Sequence, residues 1–127
     1  WRFINHPNSY KLYCLRKEKE IIGYLSYRIL YGNGITNLVI ADYLFLKGKE
    51  KKLQSLLNRV LKDSIQENVT TIKVWCPHDS PYFRIFRDFG FMSGGNIPVI
   101  CYQNEFALDI QSSCKNWHFT ISDSDNI

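Results

Sequence analysis

The stretch ITNLVIADYLFLKGKEKKLQSLLNRVLKDSI, residues 35–65, changes its hydrophobic period half-way, and that change decides the fold. Ile35 to Leu46 is a β-branched and aromatic run that reads as a strand. From Glu50 the period becomes helical, with Leu53, Leu56, Leu57, Val60, Leu61 and Ile65 recurring at i, i+3, i+4, i+7, i+8 and i+12. Lys51, Lys52, Asn58, Arg59, Lys62 and Asp63 fall on the opposite face. Thr70 to Cys76 then reads as a short β-rich strand. So tight a strand, helix, strand succession predicts a right-handed crossover, with Ile35–Leu46 and Thr70–Cys76 paired in parallel.

Working outward toward the start, Gly32-Asn33-Gly34 carries the Asn-Gly dipeptide that tolerates positive φ and closes hairpins. It predicts that Ile21 to Tyr31 pairs antiparallel with the central strand. The charged knot Arg16-Lys17-Glu18-Lys19-Glu20 then joins a further strand, Tyr10 to Leu15. Toward the end, Asp79 or Ser80 as N-cap, Pro81 at the first helical position and Gly90 beyond the last frame a second helix striped by Tyr82, Ile85, Phe86 and Phe89. Pro98 to Gln103 and Trp117 to Ile121 read as closing strands. The expected order is β-β-β-α-β-α-β-β, an α+β fold with a mixed, mostly antiparallel sheet flanked by two helices.

The 127 residues, 45% hydrophobic and 15% aromatic, suffice for one domain spanning residues 1–127. The net charge of +4 comes mainly from Lys47 to Lys52 and forms no stripe along the chain, so a nucleic-acid surface is not expected. Cys14, Cys76, Cys101 and Cys114 lack the spacing of a zinc site or disulfide framework and read as reduced thiols of a cytoplasmic protein. His6, His78 and His118 show no metal-ligand spacing either, and His118, between Trp117 and Phe119, reads as a surface residue. Asp123-Ser124-Asp125 reads as a polar end without the glycine and distal glutamate of a calcium loop. No apolar run is long enough for a membrane span.

The element order and several local motifs carry a resemblance. Arg2-Phe3-Ile4-Asn5-His6-Pro7, Gly23-Tyr24, Ser80-Pro81-Tyr82-Phe83 through Phe89-Gly90-Phe91, and Trp117-His118-Phe119-Thr120-Ile121-Ser122-Asp123-Ser124-Asp125 resemble GNAT N-acyltransferases. The branch they resemble is found near surface-polysaccharide genes and is distantly similar to Fem aminoacyl transferases. The similarity is to the C-terminal part of that fold. With Trp1 in place of an initiator Met, it implies a longer parent whose N-terminal half, or a homodimer partner, packs against this chain.

The resemblance also implies chemistry. The Ile35–Leu46 and Thr70–Cys76 strands would splay around the pantetheine arm of acetyl-CoA or another acyl-CoA, contacted by Leu44 and Phe45. Lys47, Lys49 and Lys52 would meet its phosphates at the start of the following helix, and a small-molecule amine would attack the thioester. Glu50 and Lys52 stand where the family usually has small residues, and Phe86 stands where it often has a tyrosine general acid. Tyr82, one turn earlier on the same helical face, is the substitute proton donor.

Asp42 is the candidate general base, since strict alternation places it with Leu38, Ile40, Leu44 and Leu46 on an apolar face, where burial raises a carboxyl pKa. The alternative is a bulge, frequent in GNAT-like central strands, that turns it toward solvent or a backbone amide. Two function classes follow: an acyltransferase moving an acyl or aminoacyl group to an amine of a sugar or peptide precursor, or a non-catalytic module of the same fold.

Overall fold

The structure, a computed structural model, describes residues 9–95 and 118–121. Three antiparallel strands come first: β1 (Lys11–Lys17), β2 (Glu20–Gly32) and β3 (Ile35–Phe45). A 3-10 turn (Glu50–Lys52) leads into α1 (Leu53–Gln66), followed by β4 (Thr71–Val74) and α2 (Pro81–Asp88). The sheet order is β1-β2-β3-β4, antiparallel except for the parallel β3–β4 pair, as the change of period requires. The β2–β3 turn is the expected Asn-Gly one, with φ of +49° at Asn33 and +74° at Gly34.

Of the expected closing strands, Pro98–Gln103 lies outside the described residues. The described part of the other, residues 118–121, is not in a strand.

One irregularity in β3 positions everything that matters for function. Ser26 pairs with Asp42, but the next pair is Tyr27 with Ile40, so Ala41 is an extra residue and β3 bulges. The bulge reverses the alternation. Leu38 and Ile40 enter the core before it, and Tyr43 and Phe45 enter after it. Strict alternation fails here: Asp42 and Leu44 leave the core face, and Leu44 and Leu46 are exposed.

The helix α1 also departs from its expected stripe. Leu53, Leu56, Leu57 and Val60 are buried, but so is Asp63, whereas Leu61 and Ile65 are exposed. At about 100° per residue, Ile65 lies about 120° around the helix from Leu53, beyond the buried arc. Asp63 instead accepts hydrogen bonds from the hydroxyls of Tyr13 and Tyr27.

The second helix begins and ends as its punctuation predicts. Ser80 is the N-cap, its hydroxyl accepting from the Tyr82 amide at 3.2 Å, with Pro81 at the first turn. At the other end Gly90 takes φ of +102°. The Phe91 amide then donates to Phe86 O at 3.1 Å and Gly90 N–H donates to Arg87 O at 3.0 Å, a Schellman closure. The rings of Phe86 and Phe91 meet edge to face at 5.2 Å across that closure. Phe-Gly-Phe is thus a helix-stop device, and the Phe86 side chain is a core group, also packed on Tyr43 at 5.0 Å.

Candidate active site at the free edge of β3

Parallel pairing of β3 with β4 runs only from Asn37–Thr71 to Ile40–Val74. From Ala41 onward no strand among the described residues lies beside the edge of β3 that faces away from β2, and side chains meet its amides instead. The Tyr43 amide donates to its neighbour's carboxylate, Asp42 Oδ1, at 2.8 Å. The Phe45 amide donates to the Tyr82 hydroxyl at 2.9 Å, which also lies 3.5 Å from Phe45 O. Across the gap, the Tyr43 hydroxyl donates to Trp75 O at 2.9 Å. Backbone groups left inside a protein must find partners, and here aspartate and tyrosine supply them.

Asp42 is the centre of this arrangement. Besides the Tyr43 amide, it accepts from the Tyr24 hydroxyl at 2.9 Å on Oδ2, and His118 Nε2 lies 3.4 Å from Oδ1. Desolvation is the strongest single influence on this carboxyl and pushes its pKa up. The contacts from His118, Tyr24 and the Tyr43 amide together outweigh it and hold the group below the ordinary carboxylate range. The raised pKa expected from strict alternation is therefore corrected, and the alternative expectation, a bulge that turns Asp42 toward a backbone amide, is the one found, with hydroxyl and imidazole partners added.

His118 is also no free surface histidine. Its ring stands edge to face on Tyr43 at 5.2 Å and near Tyr82 at 5.9 Å, so it bridges the two candidate catalytic residues. The signal for it was indirect: a carboxylate on an otherwise apolar strand demands a partner, and no local spacing says which. Tyr43 likewise belongs to the site by contact, and Tyr24, quoted above only for the Gly23-Tyr24 resemblance, joins it through its hydroxyl.

Burial pushes the Tyr82 pKa up, so its hydroxyl keeps its proton. Burial does the same for the Cys76 thiol.

The other candidate residues divide. Leu44 is exposed on the same side of the strand as Asp42, while Phe45 turns its ring into the core over Gly23, where an added Cβ would stand 2.1 Å from Phe45 Cδ1. Phe45 can therefore meet a ligand only through its main chain.

Lys47, Lys49 and Lys52 are all exposed at the end of the free edge, and the 3-10 turn that carries Lys52 packs beside α2. Their charge suits a polyphosphate. In the same loop, however, Glu50 Oε1 accepts from the Gly48 amide at 2.9 Å, so the chain's own carboxylate holds an amide that an anion would use. Among the described residues, no group of three His, Cys, Asp or Glu side chains is placed to hold a metal, and no helix is long and apolar enough to cross a membrane.

The sequence matches no protein-family model and no curated protein. Solved structures do match. A proposed acetyl transferase of Pyrococcus furiosus aligns at TM-score 0.63 and 15% identity, over 75% of this chain and 67% of that one. The fold is that of the GNAT acetyltransferases. A ribosomal-protein-alanine N-acetyltransferase of Brucella melitensis aligns at 0.55 and 14%, over 73% and 71%. The aminoglycoside N-acetyltransferase AAC(6')-Iy, solved with CoA, aligns at 0.58 and 12%, over 73% and 75%. At these identities the likeness concerns the GNAT fold.

Proposed function

We propose that this chain is the acyl-transfer part of a GNAT-fold N-acyltransferase, which moves an acyl group from acetyl-CoA or another acyl-CoA to an amine. The observation that carries this reading is the pairing of Asp42 with His118 beside the free edge of β3. An ionised carboxylate and an imidazole meet there, next to a backbone stretch that β4 leaves unpaired. Leu44, the Phe45 main chain and Lys47, Lys49 and Lys52 would line the donor's path, with the lysines at its phosphates. Tyr82, its proton retained, would serve the departing sulfur. The acceptor is a small-molecule amine, in our reading one on a sugar or peptide precursor, as the resemblance to the polysaccharide-associated branch implies. The same resemblance suggests a cytoplasmic enzyme completed by an N-terminal half or by a second copy.

Three observations favour a second reading, a non-catalytic module of this fold. The Tyr82 hydroxyl occupies the Phe45 amide, Glu50 occupies the Gly48 amide, and Phe86 is committed to the core. Thermal unfolding of the full-length protein with acetyl-CoA separates the two. Saturation at about 100 times the dissociation constant adds about 2.7 kcal/mol, and a midpoint unmoved by millimolar acetyl-CoA rejects the acyl-transfer reading.

A further inference from the structure

We infer that His118 is the base that takes the proton from the incoming amine, and that Asp42 is a positioning residue acting through it. The inference rests on the acyl-transfer reading and assigns the roles inside that site.

Asp42 has little capacity left to act as the base itself. Its oxygens face three donors: the Tyr24 hydroxyl, the Tyr43 amide and the imidazole. A carboxylate so stabilised in its charged form takes a proton from an ammonium group reluctantly, since good proton acceptors work near the ambient pH. Histidine is the side chain that exchanges protons there.

The geometry gives His118 the means. Its Nε2 is turned to Asp42 Oδ1, which leaves the opposite ring nitrogen, Nδ1, for another partner, and about a third of the side chain, 32%, is open to solvent. Tyr43 and Tyr82 hold the ring on edge, and the residues that follow anchor the segment, Thr120 being 1% and Ile121 9% exposed. A carboxylate behind one nitrogen fixes the imidazole's orientation and stabilises the imidazolium that forms when the other takes a proton. Among the described residues, the titratable groups facing the ring are Asp42 and Tyr43 from β3, Tyr24 beyond Asp42 from β2, and Tyr82 from α2, with Cys76 behind Tyr43.

The proton balance is simple. The ammonium form of the acceptor gives one proton to His118 Nδ1. The freed amine nitrogen forms the amide bond as the carbon–sulfur bond of the thioester breaks, a second proton leaves with the sulfur, and the third stays on the amide. His118 returns its proton to solvent.

The test uses the full-length protein, with acetyl-CoA as donor and glucosamine and glycinamide as amine probes, thiol release as the rate, and NMR of the His118 ring as a readout independent of turnover. We expect His118→Gln to lower kcat by about 100-fold or more, within the range of general-base catalysis, and to leave the KM for acetyl-CoA in place. Asp42→Asn lowers kcat less and changes the His118 ring resonances that report its tautomer and orientation, and Asp42→Glu restores part of both. Wild-type turnover in His118→Gln overturns the proposal. So do His118 ring resonances unmoved by Asp42→Asn, whether or not either probe is acylated. Failure of acetyl-CoA to bind the wild type rejects the acyl-transfer reading instead, a result told apart from the other two because it precedes any substitution.

Discussion

Asp63 and Asp42 are both carboxylates drawn out of water and kept charged by tyrosine hydroxyls, yet their surroundings differ in kind. Asp63, on α1, accepts from Tyr13 of β1 and Tyr27 of β2, with Arg59 one turn back at 4.0 Å. Desolvation again pushes its pKa up, and Tyr13, Tyr27, Lys11 and Arg59 together bring it below the ordinary range. Every partner comes from elements already packed together, and the side chain is 9% exposed. Asp42 adds to its local partners a histidine from the far end of the described chain, and that histidine keeps a side open to solvent. One carboxylate pins a helix to a sheet, while the other sits where chemistry has access. A carboxylate held by rigid neighbours is a fastener, and one shared with a half-exposed imidazole can pass its influence to a ligand.

The comparison breaks most visibly at Asp63. Asp63→Ala leaves the Tyr27 hydroxyl, on a residue with no exposure, without its acceptor and deprives Tyr13 as well. A loss of about 2–4 kcal/mol follows from stranding buried donors, read as a lower urea midpoint at unchanged slope. A loss below about 1 kcal/mol would show that the network does not fasten α1 and would remove the contrast with Asp42.

Next in size is the free edge. Tyr82→Phe removes the oxygen that accepts from the Phe45 amide and should cost about 1–2 kcal/mol, the penalty for one stranded buried donor. Its effect on acetyl-CoA sharpens the choice between the two readings. If the donor lies along the edge of β3, freeing the Phe45 amide strengthens binding, measured by calorimetry on the full-length protein. If the edge is closed for good in a non-catalytic module, the variant is less stable and binds nothing.

Much of this was legible in the residues, and the limits have physical causes. Periodicity located α1, Asn33-Gly34 fixed the β2–β3 turn, and Ser80-Pro81 with Gly90 framed α2, because each is a local rule satisfied by local atoms. The fold followed from the order of these pieces. The site depends on one inserted residue. Ala41 carries no mark of a bulge, yet it exchanges the faces of Asp42 and Tyr43, so a reading by strict alternation places the carboxylate in the core. The Asp42–His118 contact joins residues distant in sequence, and no spacing encodes such a meeting. Asp63 escaped for a related reason: it stands among polar residues at the margin of the helical stripe, and only the tyrosines of β1 and β2 make its burial tolerable.

The smallest expected effect is the most discriminating. Asp42→Asn keeps an oxygen for the Tyr43 amide or the Tyr24 hydroxyl, so the fold should lose only on the order of 1 kcal/mol at neutral pH, the difference between charged and neutral hydrogen bonds. The sign of its pH dependence follows from the lowered folded-state pKa. The carboxylate's contribution is fully present above the unfolded-chain value of about 3.9 and is lost as the pH falls through the lower folded value. Urea midpoints of wild type and Asp42→Asn should therefore converge on acidification, because a protonated Asp42 resembles its amide. Asp63→Ala should not converge in this way: the alanine lacks any acceptor at every pH, and Tyr13 and Tyr27 remain stranded. Parallel behaviour of the two variants would mean that both carboxylates do the same structural work, and Asp42 would lose its claim to a separate role beside His118.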